Sequence, residues 1–110
     1  MANDASTTGQ IHEAGGVCSA LDINIFRAWQ RTLPGHKWTR AEVDRYDGLT
    51  LYDDSGAYCV GLHFAHSLCG YGGEGPHATV TILHEAGFGS RKMLEDLVFN
   101  RQSAQLRRLI

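Results

Sequence analysis

Long apolar runs are absent from this sequence of 110 residues. No run approaches the roughly 20 residues that a helix needs to cross a bilayer, so no membrane span is expected. Residues 1–10 are polar and lack the basic and then apolar order of a secretory signal. We therefore expect a cytoplasmic protein that does not contact membranes.

Cysteine is scarce, and its three positions, Cys18, Cys59 and Cys69, are too few and odd in number for a disulfide scaffold. Reduced thiols are expected. An excess of one charge is also missing, because 10 Lys and Arg residues stand against 12 Asp and Glu residues. With a formal net charge of −2, the chain has no general attraction to nucleic acid, and a nucleic-acid partner is not expected.

The composition that remains is typical of one folded domain, with 43% hydrophobic and 20% charged residues. Residues 1–16 hold hardly any large apolar side chain, so burial could not fix them and they predict a mobile tail. Residues 17–110 predict a single small α+β domain. Its expected parts are a β-hairpin (about 49–53 and 57–66), a glycine-rich loop (70–75) and packed helices (about 20–33, 40–46, 77–86 and 91–99).

The first helix is predicted from apolar residues that recur every four positions, namely Leu21, Ile25, Trp29 and Leu33. A shorter alternation through Ile23 would suit a strand instead. The four-residue pattern is longer and stops at Pro34, which favours the helix.

A capping-box sequence predicts the second helix, over 40–46. Thr39 is placed to bond the N–H of Glu42, and Glu42 is placed to bond back. Trp38 and Val43 lie where a hydrophobic staple requires them.

The hairpin is predicted from a change to a period of two. Leu49 and Leu51 begin the alternation, turn-forming residues follow at 53–56, and 57–66 alternates again. A sheet of only two strands would be marginal in water, so a symmetric homodimer is expected.

The later helices are predicted from apolar spacing and from their ends. Gly87 followed by Phe88 suits a left-handed helix cap, and Ser90 suits the start of the next helix. The segment after Asn100 could continue that helix or form a short edge strand.

The glycine-rich loop, followed by Pro76, is the most specific feature of the sequence. Glycines can turn several N–H groups toward one point, and a helix that begins nearby adds the positive end of its dipole. We expect a non-catalytic protein that sequesters or senses a small anionic ligand, such as a nucleotide, without a cofactor. The alternative is a tight turn that binds nothing. The predicted ligand-binding residues are Tyr71, Gly72, Gly73, Glu74, Gly75, His77, Arg91 and Lys92.

Other classes of function stay open. A metal site is one, because Cys59, His63, His66 and Cys69 lie close together in sequence, although His63 and His66 would point to opposite sides of a strand. A thiol enzyme is another, with Cys69 as nucleophile and His66 or His77 as base.

A protein-interaction module, such as an inhibitor or immunity protein, is a further alternative. It would bind through an exposed face that contains Trp29, Trp38 or Tyr52.

Overall fold

The structure, a computed structural model, describes residues 15–32, 37–54 and 59–108. These residues form three helices and one antiparallel sheet of four strands in the spatial order β3-β2-β1-β4, which confirms the α+β class. The predicted tail, 1–16, lies outside the described residues except for Gly15 and Gly16, which begin the first helix. The elements are α1 (Gly15–Thr32), β1 (Arg40–Asp44), β2 (Gly48–Asp53), β3 (Val60–Phe64), α2 (Glu74–Glu85), α3 (Arg91–Asn100) and β4 (Ser103–Arg107).

The strand register divides the sheet into an apolar face and a polar face. Apolar residues face one another across all three strand pairs, for example Val43 with Leu49 and Leu49 with Phe64. This face is buried with apolar residues of the helices, and α2 packs against both α1 and α3. The opposite face carries Arg40, Glu42, Thr50, Tyr52, His63, Gln105 and Arg107.

The predicted helix over 40–46 is wrong, because this segment forms β1. Ala41 and Val43 are buried and alternate with partly exposed residues, which is the period of a strand. The Thr39 hydroxyl donates to a carboxylate oxygen of Asp54 at 2.6 Å instead of capping a helix. Since β1 pairs with the neighbouring β2 on one side and with the distant β4 on the other, its backbone bonds to both strands outweigh a local capping sequence.

The hairpin prediction is confirmed, since β2 and β3 pair antiparallel. Residues 55–58, between the two strands, lie outside the described part. The segment after Asn100 forms the edge strand β4. Because four strands of one chain already form the sheet, the reason for expecting a homodimer no longer holds, and the dimer stays an untested prediction.

The other helix predictions are confirmed, with small shifts at the ends. Helix α2 starts at Glu74, three residues before its predicted start, and Pro76 takes its third position. At its other end Gly87 has a φ of +91°, and the N–H of Phe88 donates to the carbonyl of Leu83 at 3.0 Å, which is the expected glycine cap. No helix in the described ranges combines the length and apolarity that a membrane crossing needs.

Candidate functional site

The glycine-rich loop is fastened to the end of α3. The N–H of Gly70 donates to the carbonyl of Val98 at 2.8 Å, and Gly70 has a φ of +91°. A β-carbon at Gly70 would lie 3.1 Å from the carbonyl oxygen of Arg101. The backbone conformation and close packing at this position therefore favour glycine whether or not a ligand binds.

Gly73 and Gly75 pack against the side chain of Tyr71. A β-carbon at Gly73 would lie 2.9 Å from that ring, and one at Gly75 would lie 3.1 Å from the Tyr71 hydroxyl and 3.0 Å from the carbonyl of His66. Gly72 alone faces open space, with no atom within 4 Å of its added β-carbon. Close packing thus accounts for Gly73 and Gly75, as the tight-turn alternative requires.

The start of α2 offers few free donors to an anion. Gly73 caps the helix without a side-chain hydrogen bond, its carbonyl accepts from the N–H of His77 at 3.0 Å, and Pro76 has no N–H. The N–H groups of Glu74 and Gly75 remain, and Gly75 is buried while Glu74 brings a negative charge. A cation lies near the loop, since the guanidinium of Arg45 is 5.9 Å from the centre of the Tyr71 ring.

The remaining predicted ligand residues divide between the two ends of α3. His77 is exposed and meets the ring of Phe99 edge to face, with centroids 5.0 Å apart. Arg91 and Lys92 begin the same helix, which at 1.5 Å per residue places Arg91 about 12 Å along the axis from Phe99. Arg91 donates to the hydroxyl of Thr81 at 3.0 Å. The structure therefore brings Tyr71, the glycines and His77 into one region and leaves Arg91 and Lys92 out of it.

The environment of Cys69 is that of a core thiol. Cys69 is fully buried, its Sγ lies 3.3 Å from the carbonyl oxygen of Gln102, and burial raises the pKa of the thiol. A raised pKa keeps the group protonated, which is the opposite of what a nucleophilic cysteine needs. Within the described ranges no three His, Cys, Asp or Glu side chains are grouped so that they could hold a metal ion.

The open face of the sheet carries two adjoining shallow clefts, of about 340 and 280 Å³. Both include Glu42 and Gln105, and they also contain Arg107 at one end and Asp47 at the other. Since the charges are mixed, neither cleft selects a ligand of one sign.

Helix α1 exposes a line of large apolar side chains. Leu21 is 55% exposed, Ile25 is 38% exposed and Trp29 is 44% exposed, and the spacing of four residues puts them on one side of the helix. We call these three residues the α1 flank. Trp29 is thus exposed, as the protein-interaction hypothesis required, whereas Trp38 is buried.

An ion pair between α1 and α2 shows which way the α1 flank faces. Arg27 donates from Nε to Glu85 of α2 at 3.0 Å. Arg27 is two residues from both Ile25 and Trp29, so it points about 160° away from them around the helix. Because Arg27 faces α2, the α1 flank faces away from α2.

Two contacts place α1 at the end of β3. Phe26 meets the ring of Phe64 edge to face, with centroids 6.4 Å apart. The buried carboxylate of Asp22 accepts from the N–H of His66 at 3.1 Å and from the hydroxyl of Ser67 at 2.9 Å, just after β3 ends. These contacts hold α1 against the end of β3, which is a strand at one edge of the sheet.

That edge is free in the described part of the chain. Strand β3 pairs with β2 on one side, and no described strand pairs with its other side. Val60, at the start of β3, is 43% exposed. The α1 flank and the β3 edge are thus both exposed in the described part of the chain, and the sequence signal for the α1 flank was the same four-residue spacing that predicted the helix.

No family model, no curated protein and no solved structure matches this chain. The function of the chain is therefore inferred from its own geometry.

Proposed function

We propose that this chain is a non-catalytic protein-interaction module that binds its partner through the α1 flank. The observation that carries the proposal is the exposure of Leu21, Ile25 and Trp29 on one side of a helix. Single exposed apolar residues are common, whereas a contiguous apolar line marks a contact surface. Tryptophan is also enriched among the residues that dominate binding energy at protein interfaces.

The exposed charges of α1 lie away from the α1 flank. Asp22 is buried, and the exposed charged side chains in the described turns of the helix are Arg27 and Arg31. Both are two residues from Trp29, so they point about 160° away from it around the helix. We therefore propose a partner segment from another polypeptide that is apolar where it meets the α1 flank.

Selection of peptides tests this proposal. A displayed library of random 12-residue peptides is panned on the wild-type protein, and the enriched peptides are titrated against the wild-type and Trp29→Glu proteins. We expect apolar peptides whose affinity falls at least about tenfold in Trp29→Glu, since an interface tryptophan contributes on the order of 2 kcal/mol. Met93→Glu is the matched control, because Met93 on α3 is exposed to a similar extent, 42%.

Equal binding to the wild-type and Trp29→Glu proteins would exclude the α1 flank as the contact surface. Light scattering of the wild-type protein over a range of concentrations tests whether a second copy of this chain is the partner. A dimer that Trp29→Glu dissociates would replace the proposed partner with a second copy of this chain and would restore the predicted homodimer.

The predicted small anionic ligand is the second candidate. It is favoured by the absence of a side-chain cap on α2 and by the nearness of Arg45 to Tyr71. Titration with inorganic phosphate, followed by the amide NMR signals of Glu74 and Gly75, tests it. Shifts that saturate in the wild-type protein and weaken in Arg45→Gln would support an anion site. Arg101→Gln is the control, and equal shifts in all three proteins would count against the site.

A further inference from the structure

We infer that two copies of this chain associate face to face through the open face of the sheet, related by a two-fold axis that runs across the strands. This inference goes beyond the proposed function, since it concerns a different surface and a different partner. It follows from the order in which charges occur along the strands. That order makes the open face complementary to a second copy whose strands run in the opposite direction.

One end of the open face carries two arginines. Arg40 of β1 and Arg107 of β4 stand directly opposite each other and line the smaller cleft, and we call this pair the arginine end. Like charges that face each other across two strands destabilise a sheet. Arg40 is paired with Asp54 at 3.3 Å. Arg107 is exposed and has no ion-pair partner in the described part of the chain, so the positive charge at this end is only partly neutralised.

The other end of the open face carries the opposite charge. Asp44 ends β1, Asp47 follows in the turn to β2, and both line the larger cleft; we call this pair the aspartate end. Asp44 accepts from the N–H of Tyr46 at 2.8 Å. Asp47 is exposed and makes no ion pair among the residues that the structure describes. At about 3.3 Å per residue, the four steps of β1 separate Asp44 from Arg40 by about 13 Å. Each end thus holds a charge that the described chain leaves unpaired.

The charge order selects one orientation of the second copy. Sheets that pack face to face lie about 10 Å apart with their strands roughly aligned. If the strands of the two copies ran in the same direction, one arginine end would face the other. A two-fold axis across the strands at the level of Glu42 and Gln105 reverses the direction, so each arginine end faces the aspartate end of the second copy. Because the axis is two-fold, this contact forms twice.

The middle of the open face is compatible with this arrangement. Glu42 lies at the axis, where it is paired with Arg40 of its own chain at 3.5 Å and accepts from the hydroxyl of Tyr52 at 3.3 Å. Gln105, opposite Glu42 on β4, can both donate and accept a hydrogen bond across the axis. The surface is polar and its unpaired charges lie at the ends, so the dimer should be weak, and salt should weaken it further.

Charge reversal in the full chain tests the inference. Arg107→Glu and Asp47→Arg each replace attraction by repulsion at both contacts, so each variant alone should dimerise at least about tenfold more weakly than the wild-type protein. An equimolar mixture of the two variants should regain the lost affinity, because their reversed charges are opposite in sign. Sedimentation equilibrium at low salt measures this, at protein concentrations up to about 1 mM, which detects even a weak dimer.

Lys92→Glu is the matched control, since it reverses an exposed charge on α3 and should leave dimerisation unchanged. A wild-type protein that stays monomeric at low salt would overturn the inference. A mixture that dimerises no better than the separate variants would also overturn it. A dimer that Trp29→Glu dissociates and Arg107→Glu does not would assign the contact to the α1 flank instead of the open face.

Discussion

The sheet ends at β3 on one side and at β4 on the other, and the two strands differ in charge and in the helix beside them. Strand β4 alternates exposed polar residues with half-buried Ala104 and Leu106, and one of its exposed residues is Arg107. Strand β3 has no charged residue and ends against α1, which exposes the α1 flank. Only β4 thus carries the charge that discourages further pairing.

This difference separates the two roles that a strand edge can have. A charged edge ends the sheet, and it needs no partner to explain it. An uncharged edge leaves its backbone polar groups open to pairing, whereas the α1 flank leaves apolar area exposed. These are two different kinds of unsatisfied surface, and the proposed contact uses the second.

The largest expected effect comes from separating α1 from β3. Phe26→Ala removes a buried ring that packs on Phe64, and such truncations cost about 3–5 kcal/mol of unfolding free energy. Urea unfolding measures the loss, and hydrogen exchange should rise in α1 more than in α3. Leu94→Ala, a buried change on α3, is the control and should have the opposite pattern. If the two variants showed the same hydrogen-exchange pattern, α1 and α3 would not open independently of each other.

Gly48→Ala should also destabilise the β3 side strongly. Gly48 has a φ of +98°, and its added β-carbon would lie 2.3 Å from the carbonyl oxygen of Phe64, at the end of β3. Backbone strain of this kind costs about 1–3 kcal/mol, and the contact would push β3 away from β2. Urea unfolding checks the value. Gly72→Ala is the control, because its β-carbon meets nothing within 4 Å, and a loss comparable to that of Gly48→Ala would refute the steric reason.

Local patterns predicted the elements whose signals lie within a few residues, and missed those decided at a distance. The sequence predicted the end of α2 at Gly87 and the cap of α3 at Ser90, because both signals are local. The Ser90 hydroxyl accepts from the N–H of Met93 at 3.2 Å, as that prediction requires. The strand at 40–44 was missed because its pairing partners include residues 103–107, near the other end of the described chain.

The site was harder to predict, because exposure depends on where neighbouring elements pack. Spacing alone placed Leu21, Ile25 and Trp29 on one side of a helix but did not say that this side faces solvent. The glycine-rich loop presented the reverse difficulty. Its composition suits an anion site and a tightly packed turn equally well, and the position of the Tyr71 ring supplies the structural reason for Gly73 and Gly75.

Asp22 should make the attachment of α1 to the β3 side depend on pH. Burial raises the pKa of its carboxyl above the ordinary value of 3.8, so the folded state binds the proton more tightly than the unfolded chain does. The resulting stabilisation is complete below the unfolded pKa and is lost as the pH rises through the raised pKa. Asp22→Asn should therefore gain stability relative to the wild-type protein as the pH increases across that window, as measured by urea unfolding at several pH values.

Ser67→Ala is the control. The Ser67 hydroxyl lowers the pKa of Asp22, so its removal should raise that pKa further and extend to higher pH the range over which the stability changes. A difference between wild-type and Asp22→Asn that does not change with pH would show that the carboxylate carries no such linkage.

The smallest expected effect on stability distinguishes the α1 flank from the core. Leu21→Gln changes a side chain that is 55% exposed, so unfolding free energy should change by no more than about 0.5 kcal/mol, while peptide binding should weaken. Thermal and urea unfolding measure the first quantity, and titration with the selected peptides measures the second. If the unfolding free energy fell by more than about 2 kcal/mol and peptide binding did not change, Leu21 would stabilise the fold by packing and would take no part in binding.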